Sequence, residues 1–245
     1  MRMLSFAVAV PFDRALPGSI AIADAIDPHP LTVAPNLRLT EVTALMSRTW
    51  SENGLLCSLD DPKAERRRSS CALVVDGETL IGIFTERDIV RLTAEGQDFQ
   101  ALRVADVMTS PVISMPREAL RDIFAVLFFF RRYRIRHLPI VGDRDELVGL
   151  ITPSRIRQVL RPANLLKMLR VADVMSPEVV QAPPDAPVVQ LARMMAAARV
   201  SCVVIVEPDR EGGSVPVGIV TERDIAQFQV LQIDLTCTPA QLVMS

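Results

Sequence analysis

Two short words recur along this chain at one spacing, and they constrain its fold more than any other feature. VADVM stands at 104–108 and again at 171–175, so its copies are 67 residues apart. TERDI stands at 85–89 and 221–225, with TPSRI between them at 152–156. The glycines just before these words, Gly82, Gly149 and Gly218, are spaced 67 and 69 residues apart. Two independent landmarks that keep one period indicate tandem copies of a single unit. One more period beyond Met175 falls on Met244, in AQLVMS, which echoes ADVMSP. A fourth copy is therefore expected to open there, and the sequence reads as a piece of a longer protein.

Each copy has the same internal order. An opening segment leads into a short extended piece that ends near proline: PLTVAP, PVISMP and EVVQAP. An amphipathic helix follows. Its apolar positions are Leu120, Ile123, Phe124, Leu127 and Phe128 in the second copy and Val188, Leu191, Ala192 and Met195 in the third, at helical spacing. Two strand-like runs come next, CALVVD with LIGIFT, HLPIVG with ELVGLIT, and CVVIVEP with PVGIVT. Turn residues such as Asp76-Gly77 and Gly142-Asp143 link them. A helix then starts directly after the second strand. The unit is β-α-β-β-α, and the fold class is α/β (α+β), with small sheets flanked by helices. The expected divisions are an N-terminal arm at 1–19, a first repeat at 20–95 with an insert at about 51–69, a second at 103–161 and a third at 170–229. A linker and the start of a truncated fourth repeat occupy 230–245. The insert, edged by Trp50 and carrying Glu65-Arg66-Arg67-Arg68, reads as a surface loop.

Composition narrows the function. With 49% apolar and 23% charged residues over 245 positions, the chain is globular. A net charge of −2 argues against a strongly electrostatic nucleic-acid binder. No apolar run approaches the roughly 18 residues of a membrane span. Cys57, Cys71, Cys202 and Cys237 lack C-x-x-C spacing and read as buried thiols of a reducing, cytoplasmic compartment, with no metal site. No catalytic motif is found, neither a nucleophile elbow, a P-loop nor a zinc signature, so no catalytic residue is expected.

The combination of DVM-x-x-P, an amphipathic helix, R-H-L-P-I-V and V-G-L-I-T before a T-x-x-D or T-x-x-R step resembles the CBS domain. It covers about residues 20 to 229. The insert and the QFQVLQIDLTCTPAQLVMS ending resemble the arrays at the N-terminus of cyanobacterial sensor histidine kinases. The resemblance implies repeats that pair into a Bateman module, with two clefts for adenosine compounds (AMP, ADP, ATP or S-adenosylmethionine, with or without Mg²⁺) and control of an attached output domain. It assigns the Thr85 hydroxyl to phosphate or ribose and the Asp88 carboxylate to the ribose hydroxyls; Thr221 and Asp224 repeat the pair in the third copy. That third site needs a fourth-copy partner. Thr152 is kept in the second copy, but Arg155 replaces the carboxylate and cannot accept from ribose. Its site is either empty or takes a more anionic group. Arg134 and Arg136 match phosphate-contacting positions, and Val33, Ile113 and Pro139 match positions lining the adenine cleft. Thr85 with Asp88 is also a capping box in form, complete without any ligand. The competing expectation is an assembly module that forms homodimers through its helices, with the Phe124–Phe130 stripe as its apolar surface.

Overall fold

In a computed structural model of the chain, the described residues are 22–47, 69–120, 123–160, 171–209 and 212–245. The N-terminal arm, most of the insert with Trp50 and Cys57, and the stretch between the second and third copies lie outside them. Among the described residues there are three three-stranded sheets, one per repeat. The first joins β1 (Thr32–Val33), β2 (Cys71–Asp76) and β3 (Thr79–Thr85). The second joins β4 (Met115–Pro116), β5 (Leu138–Val141) and β6 (Leu147–Ile151). The third joins β7 (Gln181–Ala182), β8 (Cys202–Pro208) and β9 (Ser214–Thr221). In each, the short strand pairs parallel to the central one and the hairpin closes antiparallel.

The helices follow the expected order. They are α1 (Leu39–Ser47) and α2 (Glu86–Ala94), the one-turn α3 (Val104–Val107), α4 (Ile123–Tyr133) and α5 (Pro153–Leu160), then α6 (Val171–Val174), α7 (Val188–Ala198) and α8 (Glu222–Val230). In α7 the apolar positions read from the sequence, Val188, Leu191, Ala192 and Met195, are all buried. In α4 the helix turns differently from the expected stripe. Val126 is fully buried and Phe129 and Phe130 pack on the core, whereas Leu127 and Phe128 are exposed. An apolar run too wide for one face leaves part of itself in water. The cysteines also divide: Cys71 is buried, Cys202 half-buried and Cys237 exposed.

The repeated glycines mark where the repeats join. In all three sheets the register shifts directly after the residue opposite the glycine, at Val74/Val75, Ile140/Val141 and Ile205/Val206. Onto that bulge comes the opening segment of another copy. Thr109 of the second repeat exchanges backbone bonds with Ile83 at 2.8 and 3.1 Å, with Met108 seated over Gly82. In return Asp27 of the first repeat exchanges bonds with Leu150 at 2.8 and 2.9 Å, with Ile26 over Gly149. Ile26 thus does the work of the methionine that the first copy lacks. Ser245 and Met244 repeat the arrangement on Ile219 and Gly218. Residues 231–245 follow over the third repeat the path that 95–109 follow over the first. Among the described residues the opening segment of the third repeat has no such seat, and Val171 and Met175 are exposed.

The first and third repeats meet through their helices. Helix α2 packs against α7 and α8, and α1 against α8. Val90 enters the core of the third repeat and Ala226 that of the first. The Gln229 amide donates to the Thr93 hydroxyl at 2.9 Å across the same contact.

A Cβ on Gly149 would lie 2.6 Å from the Asp27 carbonyl oxygen, backbone that cannot swing aside. Gly149→Ala should therefore cost about 1–3 kcal/mol in chemical denaturation. Gly82→Ala should cost less, because it meets only the flexible Met108 side chain. The first and second repeats are also tied by a 2.7 Å hydrogen bond between Ser70 Oγ and His137 Nε2. Burial and the Arg136 and Arg87 charges push His137 down from 6.5 to about 4. Below its unfolded-state value the unfolded chain binds a proton that the folded one refuses. This contribution is therefore complete above that value and is lost as pH falls towards the folded one. Urea midpoints between about pH 7 and pH 4.5 should fall more steeply for the unsubstituted chain than for His137→Gln.

Candidate functional site

The exchange of opening segments leaves a cleft of ≈1650 Å³ between the first two repeats. That exceeds the roughly 300–1,000 Å³ of an ordinary small-ligand pocket. Its apolar wall includes Ile83, Ile113, Ile135 and Leu150. Thr85 and Asp88 line it from the first repeat, and Arg134, Arg136, Thr152 and Arg155 line it from the second. Glu222 and Arg223 reach it from the third.

Thr85 ends β3 and caps α2. Its backbone N–H and its hydroxyl both donate to Asp88 Oδ2, at 2.9 and 2.7 Å, and the Asp88 N–H donates back to the hydroxyl at 3.4 Å. The capping box is complete. It consumes one carboxylate oxygen; Oδ1 faces Arg91 Nη2 at 3.5 Å, a length that leaves room for a stronger donor. The positive end of α2 points into the same region. Thr221 and Asp224 form the same box at α8 with distances of 2.8, 2.7 and 3.3 Å, but neither lines the cleft.

The second copy differs. Thr152 accepts from the Arg155 N–H at 3.3 Å, and Pro153 takes the first helical position, where its missing N–H costs nothing. The Arg155 guanidinium turns to the opening segment of the first repeat and donates to the Ile26 carbonyl at 3.4 Å. Its Nε is buried with no hydrogen-bond partner among the described residues. Where the first repeat offers a carboxylate, the second offers a guanidinium already bonded to backbone.

Two expected wall residues lie elsewhere. The short strand β1 exposes Thr32 and buries Val33, so Thr32 and Leu31 line the cleft and Val33 belongs to the core. Pro139, in the fully buried strand β5, is likewise inside the sheet. Arg134 follows α4 in a left-handed conformation, φ 53°, and this turn swings the chain from helix to cleft.

The residues between TERDI's threonine and aspartate, which carry no ligand motif of their own, also line the cleft. Glu222 is buried and accepts from Arg87 Nε at 3.3 Å and Arg136 Nη2 at 3.0 Å. Reciprocally, Arg223 Nε donates to Glu86 at 3.3 Å. Burial raises the Glu86 carboxyl above its usual range, against the opposing pull of Arg223. Burial, with the Glu86 and Asp27 charges, pushes the Cys71 thiol up to about 12, which makes it inert packing. The available signal was that Glu-Arg recurs in copies one and three and is replaced by Pro-Ser in copy two. The copies that keep it are those that dock on each other.

A family model of the CBS domain matches residues 22–95, 104–162 and 171–230. An uncharacterized protein of Methanopyrus kandleri is 32% identical over 91 residues, which is 37% of this chain and 45% of that protein. An inosine-5'-monophosphate dehydrogenase of Nitrosopumilus maritimus is 38% identical over 95 residues, 38% of this chain and 18% of the dehydrogenase. The matches thus span less than half of either relative. Among solved structures, a protein of Methanocaldococcus jannaschii superposes with a TM-score of 0.69 at 19% identity, over 91% of this chain and 81% of that one. That likeness is one of fold. With three matched repeats that make up most of its length, the chain belongs to the CBS-domain family.

Proposed function

We propose that this chain is a regulatory, non-catalytic module that binds an adenine nucleotide (AMP, ADP, ATP) or S-adenosylmethionine between its first two repeats. One observation carries the reading. A single cleft brings together the Asp88 carboxylate of one repeat and the Arg134 and Arg136 guanidiniums of the other. A ligand with a hydroxylated sugar and an anionic tail needs both, and the second repeat adds its two guanidiniums to the Asp88 and Arg87 of the first. Asp88 Oδ1 takes the ribose hydroxyls, the Thr85 hydroxyl and the start of α2 face phosphate, and the arginines hold the chain of phosphates. Apolar walls such as Ile113 accept the base. At the Thr152–Arg155 end a guanidinium stands where Asp88 stands in the first repeat and cannot accept from a ribose, so a more anionic group fits there. Thr221 and Asp224 need a facing repeat before they form a site.

The mechanism is a population shift. A ligand that prefers one angle between the paired repeats biases that angle, and an attached or partner signalling domain in the cytoplasm reads it. The matched part of the dehydrogenase is a minor fraction of that enzyme, as suits a regulatory segment. The Methanocaldococcus jannaschii protein is described as a proposed archaeal homolog of g-AMPK. A second reading, an assembly module that pairs two copies, is favoured by Leu127, Phe128 and Tyr133, which stand exposed on α4.

Thermal unfolding separates the two. At 100 times its dissociation constant a ligand adds about 2.7 kcal/mol, a rise of roughly 5–10 °C in Tm for a chain of this size. Asp88→Ala should abolish that rise and lower the ligand-free stability by about 1 kcal/mol as a lost cap. A lowered baseline with the ligand shift intact would reduce Asp88 to a cap. The absence of a shift with every adenosine compound would favour assembly.

A further inference from the structure

Glu222 opens α8 in the third repeat, yet its carboxylate sits at the edge of the cleft between the first two. Its side chain is only 8% exposed. One oxygen accepts from Arg87 of the first repeat and the other from Arg136 of the second. Both guanidiniums line the cleft beside Asp88 and are about half exposed, 51% and 53%. One carboxylate therefore ties three repeats together at a single point.

A carboxylate and a phosphate ask the same thing of a guanidinium, namely charge-assisted hydrogen bonds to its planar fork. Two anions brought onto one pair of guanidiniums repel each other, and the repulsion grows as water is excluded. Once Arg87 and Arg136 turn to another anion, Glu222 is left as a buried charge with weakened partners, an unfavourable state unless α8 moves. Helix α8 is itself packed on α1 and α2. Displacement of Glu222 would therefore be felt in the contact between the first and third repeats.

We propose that Glu222 is a built-in competitor for the guanidinium pair Arg87 and Arg136. Polyphosphate occupancy of the cleft and docking of the third repeat through Glu222 then oppose each other. This rests on the nucleotide reading given above and adds to it what the cleft regulates, the seating of the third repeat. Linkage makes the effect reciprocal, since whatever pulls Glu222 away tightens the cleft for phosphate.

The test is calorimetric titration of the whole chain and its Glu222→Gln variant with ATP, adenosine and inorganic tripolyphosphate. Glutamine keeps the size and removes the charge. The variant should bind ATP and tripolyphosphate roughly tenfold more tightly, within the usual range of coupling between sites, and adenosine equally well. Hydrogen exchange at the start of α8 should speed up on adding ATP to the unsubstituted chain and not to the variant. Unchanged or weaker ATP binding by a folded variant overturns the competition while leaving the nucleotide reading in place. Failure of ATP, adenosine and tripolyphosphate to bind either protein overturns both. Should the variant not fold, Arg87→Gln, which frees one side of Glu222 at a half-exposed position, must reduce the ATP-induced change in exchange; no reduction overturns the proposal.

Discussion

The structure depends on the exchange of opening segments across the hairpin bulges. Each small sheet ends in a strand whose edge would otherwise stay unpaired, with backbone groups in search of partners. The second repeat satisfies Ile83 with Thr109, and the first satisfies Leu150 with Asp27. Because the trade is reciprocal, neither repeat is complete without the other. Gly82 and Gly149 make it possible, since only a residue without a side chain lets Met108 or the Asp27 carbonyl come so close. The bulge beside each glycine twists the hairpin to receive the incoming strand.

The cleft is a consequence of that trade. Two sheets held by crossed segments share a small apolar seam of Cys71, Leu73, Ile83 and Leu150, and the ends of their last strands diverge above it. Each divergent end starts a helix, so polar caps and helix termini crowd the mouth. The pseudo-symmetry is broken chemically. One end presents Asp88, and the other presents Arg155 bonded to the Ile26 carbonyl. A second contact, helix on helix, brings the third repeat against the first and places Glu222 among the arginines of the cleft.

Much of this was legible in the chain, and the reasons are local. Alternation and helical spacing place the strands and α7, because each element buries one face in its own repeat. Thr85, Asp88, Thr221 and Asp224 could be found because capping chemistry acts within a single turn. Where the side chains lie other than their local pattern suggests, the causes are non-local. Val33 and Pro139 were expected on the cleft wall, but in strands this short the inward or outward choice follows from the neighbouring sheet. Leu127 and Phe128 are exposed because the apolar run on α4 exceeds what one face can bury.

The sequence by itself determined the repeat, the order of elements within it, the family and the capped strand–helix junctions. Each follows from periodicity or from interactions a few residues apart. The tertiary structure alone decided which opening segment seats on which glycine, that Arg155 reaches the Ile26 carbonyl, and that Glu222 meets Arg87 and Arg136. The Arg155 and Glu222 contacts join residues 86 to 135 positions apart. Nothing in the local chemistry of Glu222, one of two glutamates at equivalent positions, distinguishes it until the repeats are folded against each other.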